Sequence, residues 1–273
     1  MGSDFSRVYD KYADRKEVMI DILYEKRMKW YDKKMIWAPS GLEILKKIHE
    51  SGLLDTTLFR DFNILIFEFM APELMKVKSG IYQTFYAYAA LKFDGTVAVW
   101  GDADFGGDAT DVDLHNVVHV FSTLSAFAAL KSDHTVVVWG NANCGGNASG
   151  VDLTNVVRVI SASIAFAALK SDHTVVVWGQ PDNGGDATGV DLTNVEHVFS
   201  TNGSFAALKF DGTVVAWGNA NRGGNAVDVD LTNVVNVFST RNAFAALKSD
   251  QTVVAWGGEN DIDKVRQLAE DSK

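Results

Sequence analysis

Tyr88–Gly101 reads YAALKFDGTVAVWG, and the phrase returns as FAALKSDHTVVVWG at Phe127–Gly140 and Phe166–Gly179, FAALKFDGTVVAWG at Phe205–Gly218 and FAALKSDQTVVAWG at Phe244–Gly257. The tryptophans near the ends of these copies, Trp100, Trp139, Trp178, Trp217 and Trp256, stand 39 residues apart every time. A fixed period of this size marks a repeat architecture, in which one unit is too small to bury its own apolar faces and stacks on its neighbours. Between copies run a Gly-Gly pair (Gly106-Gly107, Gly145-Gly146, Gly184-Gly185, Gly223-Gly224) and a segment of the type VDLTNVVRVIS, as at Val151–Ser161.

Each unit reads as a small antiparallel sheet. NVVRVIS alternates apolar residues at a period of two, FAALK is a second short run and TVVVWG a third, with β-branched residues dominating the first and third. The Asp-Gly of FDGT, at Asp94-Gly95 and Asp211-Gly212, marks a hairpin between the second and third runs. His134, His173 and Gln251 take the glycine's place in the other copies. A left-handed backbone there costs a non-glycine residue about 1 kcal/mol. The expected fold is mainly β: a β-propeller-like array of about five 39-residue antiparallel blades, with an α-helical N-terminal extension.

The phrase ALKxDGTVxxWG, followed by a polar turn and glycines, resembles the repeat of the regulator of chromosome condensation family. Its members form β-propellers, typically of seven blades, and the short blade here is similar to that of bacterial relatives such as the propeller-type β-lactamase inhibitory protein. The resemblance covers roughly residues 76–257. It departs from the family before the Ala-Leu dipeptide, where a glycine and a histidine are usual and this chain has Ser125-Ala-Phe. It implies a propeller and, as an activity, guanine-nucleotide exchange on a small GTPase, although no exchange residue carries over from a match confined to the blade framework.

Outward from the repeats, 273 residues are seven times 39, but projecting the period backwards places the tryptophan positions at Ile22 and Asp61, with nothing like AALKxDGT around either. Residues 4–37 are rich in Lys, Glu, Arg and Met with apolar Val18, Ile22 and Leu23, a helical pattern. Ser40-Gly-Leu-Glu43 is a capping box opening a second helix that Ser51-Gly52 ends. The expected organisation is therefore a helical extension over 1–55, a degenerate strand or linker segment over 56–75, the repeat propeller over 76–257 and a helix-like tail over 258–273.

Composition narrows the function classes. The net charge of −10 is uneven: residues 1–80 hold 14 basic against 13 acidic residues, and residues 81–273 hold 11 against 22. An acidic repeat region disfavours binding to phosphate backbones, so no nucleic-acid partner is expected. A single cysteine, Cys144, leaves no intrachain disulfide framework, and no apolar run is long enough for a membrane span. With no apolar leader at the N-terminus, the expected location is intracellular, in the cytoplasm.

No GxxxxGK[ST], HExxH, GxSxG or GxGxxG occurs, so the chain is read as a non-enzyme with no catalytic residue, no cofactor and no metal. The Lys-x-Asp pairs, such as Lys131/Asp133, recur identically in all five copies, which suits turn chemistry better than an asymmetric catalytic constellation. His134 and His173 are expected on tips that diverge between blades. The acidic loop Asp102–Asp113 resembles a calcium loop in composition, but later copies carry Asn141, Asn143 and Asn147 in place of acids, as capped turns do. The repeated tryptophans read as inter-blade core rather than a sugar-binding ring.

The copies differ from one another in two places. One lies before the second run, at Phe85-Tyr86, Leu124-Ser125, Ser163-Ile164, Asn202-Gly203 and Arg241-Asn242; the other precedes the double glycine, at Phe105, Cys144, Asn183 and Arg222. In an up-and-down blade the two connections fall at one end, opposite the hairpins. That variable end is the expected partner-binding surface, on loops held by a rigid scaffold. The leading expectation is a protein-binding or scaffold propeller with a protein partner, as a homo-oligomer or within a larger assembly. Nucleotide exchange and small-ligand or glycan binding are the alternatives.

Overall fold

The computed structural model describes residues 77–272. The expected helical extension over 1–55 and linker over 56–75 lie outside the described residues. Five three-stranded antiparallel sheets follow one another along the chain in a propeller-like arrangement. Blade 1 holds β1 (Val77–Gln83), β2 (Ala87–Lys92) and β3 (Val97–Gly101); blade 2 holds β4 (Val117–Ser122), β5 (Ala126–Lys131) and β6 (Val136–Gly140). Blade 3 holds β7 (Val156–Ser161), β8 (Ala165–Lys170) and β9 (Val175–Gly179), and blade 4 holds β10 (Val195–Ser200), β11 (Ser204–Lys209) and β12 (Val214–Gly218). Blade 5, with β13 (Val234–Ser239), β14 (Ala243–Lys248) and β15 (Val253–Gly257), is followed by helix α1 (Glu259–Glu270).

The middle strand of each blade shows no polar alternation because both its faces are covered. In β5, Phe127 and Ala129 face back to blade 1, where they pack with Ala87, Ala89 and Leu91. Ala126, Ala128 and Leu130 face forward against Val156, Val159, Phe166, Ala168 and Trp178 of blade 3. A side of small residues thus receives a side of large ones, and the same pairing recurs between blades 3 and 4 and between blades 4 and 5. Phe127, Phe166, Phe205 and Phe244 are fully buried, each stacked on the tryptophan of its own hairpin, as Phe166 is on Trp178 with ring centres 5.1 Å apart. Each of these indoles donates from Nε1 to a glycine carbonyl of the preceding blade, Trp178 to Gly145 at 3.0 Å. The expectation that the repeated tryptophans form inter-blade core holds at these positions.

The first strand of each unit departs from the period of two. In β4, Val117 and Val120 are both buried although they stand three positions apart, because the pairing with β5 slips between Val117 and His119. A bulge of this kind adds one residue to a strand and returns the next apolar side chain to the covered face. The glycine pair is also accounted for. Gly145 has φ +99°, and a Cβ there would lie 2.6 Å from the Phe166 ring. The backbone must pass that close for its carbonyl to reach Trp178.

In blade 5 the Ala243 and Ala245 face is covered by α1. Val265 and Ala269 of the helix are fully buried against it, with Ile262 partly buried beside them. The Asn242 amide donates to Asp261 in the first turn of α1 at 2.7 Å and fixes the start of the helix.

Candidate functional site

The two ends of the blades are built differently. At the hairpin end, Asp94, Asp133, Asp172, Asp211 and Asp250 each accept from both the backbone N–H and the hydroxyl of the threonine two residues on. Those bonds, the hydroxyl's foremost, hold these carboxyls below the usual range. The left-handed residue follows, with φ +79° at Gly95, +65° at His134, +64° at His173, +76° at Gly212 and +69° at Gln251.

The lysine beside each turn does not pair with its neighbouring aspartate. Lys131, Lys170, Lys209 and Lys248 reach back to Asp113, Asp152, Asp191 and Asp230, which lie in the segment ahead of their own blade. The ammonium is held under the blade edge while the carboxylate stays exposed. Asp152 is drawn down to about 2, by the Lys170 ammonium first and then by the hydroxyl and N–H of Thr154. Asp191 and Asp230 are drawn to about 2 in the same way, and Asp113 is held below the usual range by Lys131 first and His115 next. The spacing could have shown these staples, since the aspartate recurs 18 residues before the lysine in four copies.

One expectation about polar residues changes at the hairpin end. The tips do not simply diverge: the His173 ring of blade 3 meets Phe210 of blade 4 edge-on, with centres 4.8 Å apart. His134 is turned instead to the backbone, its Nδ1 lying 3.2 Å from the Val156 carbonyl. In the acidic loop Asp113 is taken by Lys131, and Asp102 and Asp108 have local partners. Asp102 accepts from the Asp104 N–H, as Asn141 does from Asn143, and Asp108 accepts from Thr110, as Asn147 does from Ser149. Acid and amide therefore serve the same turn. Among the described residues, no group of His, Cys, Asp and Glu is arranged to hold a metal ion.

At the opposite end the loops are held by backbone. The Phe85 N–H donates to the Leu124 carbonyl (2.9 Å), Leu124 to Ser163 (2.7 Å), Ser163 to Asn202 (3.0 Å) and Asn202 to Arg241 (2.9 Å), a ladder that crosses all five blades. A buried threonine joins the second variable position to the first: Thr84 donates to the Phe105 carbonyl at 3.0 Å, Thr123 to Cys144 at 2.9 Å and Thr201 to Arg222 at 3.0 Å. Backbone bonds from Asp102 to Tyr86, Asn141 to Ser125, Gln180 to Ile164 and Asn219 to Gly203 complete the connection. Both variable sets therefore lie together at one end of the blades.

Their side chains are not equally available. Phe85 (61% exposed), Tyr86 (58%), Leu124 and Arg241 face out, and Phe105, Cys144, Ser163, Ile164, Asn183, Asn202 and Arg222 are partly exposed. Ser125 is buried, and Asn242 is committed to Asp261 of α1. Tyr86 meets Phe105 edge-on at 4.8 Å, with Phe85 at 6.3 Å, so three aromatic rings cluster on blade 1. Asn183 and Arg222 converge over Gly203, where an added Cβ would meet their Oδ1 and Cδ atoms at 2.7 and 2.8 Å.

Neither a protein-family model nor a curated protein matches this chain. Among solved structures it is similar to the ectodomain of the Physcomitrella patens receptor kinase CR4, at 13% identity and TM-score 0.47, covering 65% of this chain and 51% of that one. It is similar also to the CRINKLY WD40 ectodomain of the Arabidopsis thaliana receptor kinase ACR4, at 15% identity and TM-score 0.44, covering 66% and 68%. A third is Prp20p of Saccharomyces cerevisiae, described with its binding to Gsp1p and histones, at 19% identity and TM-score 0.44, covering 63% and 55%. This chain spans about half to two thirds of the length of these structures. No helix among the described residues is long and apolar enough to cross a membrane.

Proposed function

We propose that this chain is a non-enzymatic protein-binding propeller, a scaffold or a subunit of a larger assembly, that recognises its partner through the variable end. One observation carries the reading: the side chains that differ between copies gather on a row of loops whose geometry is kept by backbone bonds, and they include a solvent-facing aromatic cluster. Exposed aromatic rings beside an aliphatic residue are costly to leave in water and are enriched where proteins bind proteins. The polar groups of the hairpin end are spent within the fold, the aspartates on their own turns and the lysines on the preceding segment.

The test is to replace Phe85, Leu124, Ile164 and Arg241 together in the full chain, and to compare partners captured by it and by the unaltered chain from the native cell extract. Loss of a stoichiometric partner with unchanged circular dichroism and melting is the expected result. Retention of every partner overturns the reading. A small GTPase in the set, released by nucleotide, would turn the assignment towards nucleotide exchange.

A further inference from the structure

Resting on that reading of the variable end, we infer that the occupant is an extended peptide segment laid across the loops in one direction, with an aromatic or aliphatic side chain at blade 1 and carboxylates at blades 4 and 5. The row is chemically polarised. At blade 1, Phe85, Tyr86 and Phe105 form the aromatic cluster, and the bond from the Phe85 N–H to the Leu124 carbonyl sets exposed Leu124 beside it. This is an anchor site for an apolar side chain.

At the other end stand two arginines, although residues 81–273 hold twice as many acidic as basic residues. Lys131, Lys170, Lys209, Lys248, Lys264 and Arg266 each have a carboxylate partner. Arg222 and Arg241 have no ion pair among the described residues. The nearby Asp261 feels the charge of Arg241, but its oxygens already accept from Asn242 and Lys264. A planar guanidinium with its donors open is fitted to a carboxylate, which it can bind through two parallel N–H bonds.

Direction follows from the charges at the two ends. Asp104 is exposed one residue from Phe105 and would repel a carboxylate at the aromatic end, whereas the arginines attract one at the other. Between them Asn183 and Asn202 are partly exposed, and an amide can both donate to and accept from a peptide backbone.

A random-peptide phage library selected on the full chain tests the inference. Enriched peptides are expected to carry an aromatic or leucine side chain with Asp or Glu several residues away, always in the same order. F85S/Y86S and R222E/R241E are each expected to weaken those peptides about tenfold or more. Reselection on R222E/R241E is expected to replace the acids by Lys or Arg at the same spacing. Peptides weakened by F85S/Y86S but indifferent to R222E/R241E overturn the polarity and leave the variable-end reading standing. Peptides indifferent to both pairs, or no enrichment over bare support, overturn the reading together with the inference.

Discussion

The hairpin end and the variable end of each blade are joined by the same strands, yet one is almost invariant across the copies and the other hardly repeats itself. The difference lies in which atoms hold the loops. At the hairpin end the turn is closed by an aspartate side chain, a threonine hydroxyl and a lysine reaching to the preceding segment, so a change of residue removes a bond. At the variable end the cross-blade ladder runs from N–H to carbonyl, and any residue except proline supplies both. Backbone support permits variation there, and the exposed aromatic and guanidinium groups are what turn that freedom into a surface for recognition.

Substitutions can break this contrast, and the largest effect belongs to the core that both ends share. Phe166→Ala should cost about 3–5 kcal/mol in denaturant unfolding, because the site is fully enclosed between two blades and cannot collapse. Acid should act next, through the aspartates stapled by the lysines. Asp152, Asp191 and Asp230 titrate near 2 in the fold against an ordinary 3.8, so their contribution is whole above about pH 4 and is lost as pH falls towards 2. Melting temperature should drop across that window, and Asp152→Asn should lower it at pH 7 while flattening the acid limb.

Gln251→Gly should stabilise by up to about 1 kcal/mol, since φ is +69° and the side chain makes no hydrogen bond that would be lost. At the variable end, Phe85→Ser or Leu124→Ser should change stability by less than about 0.5 kcal/mol, measured by the same unfolding curves, while altering partner capture. A large destabilisation from either would mean that side chains, and not the backbone ladder, hold these loops.

What the sequence made legible follows from the same contrast. The repeated tryptophans and the left-handed positions at His134, His173 and Gln251 could be read from identity and spacing, because side chains determine them, and the meeting of both variable sets at one end followed from the up-and-down strand order. The ladder from Phe85 to Arg241 could not, since backbone atoms carry it and leave no residue pattern. The bulge after Val117 was hidden for a related reason: NVVHVFS looks alternating, but an added residue reassigns which valines are buried. The staples are legible in the aspartate 18 residues upstream of each stapling lysine, although the adjacent Lys-x-Asp repeats with the same regularity and offers a nearer carboxylate. Ser125 and Asn242 show where variation misleads, since one is buried and the other holds α1.

Because the small-residue side of each of blades 1 to 4 receives the large-residue side of the blade that follows it, the interfaces between copies are interchangeable. Recombination between neighbouring copies would delete or duplicate 39 codons in frame, and the shortened or lengthened chain would still meet a matching surface at every junction. Such an event would also shift which loop stands beside which, shuffling the recognition row without a single point mutation. Among the described junctions, the one after blade 5 differs, for there the small-residue side meets the helix α1 instead of a blade.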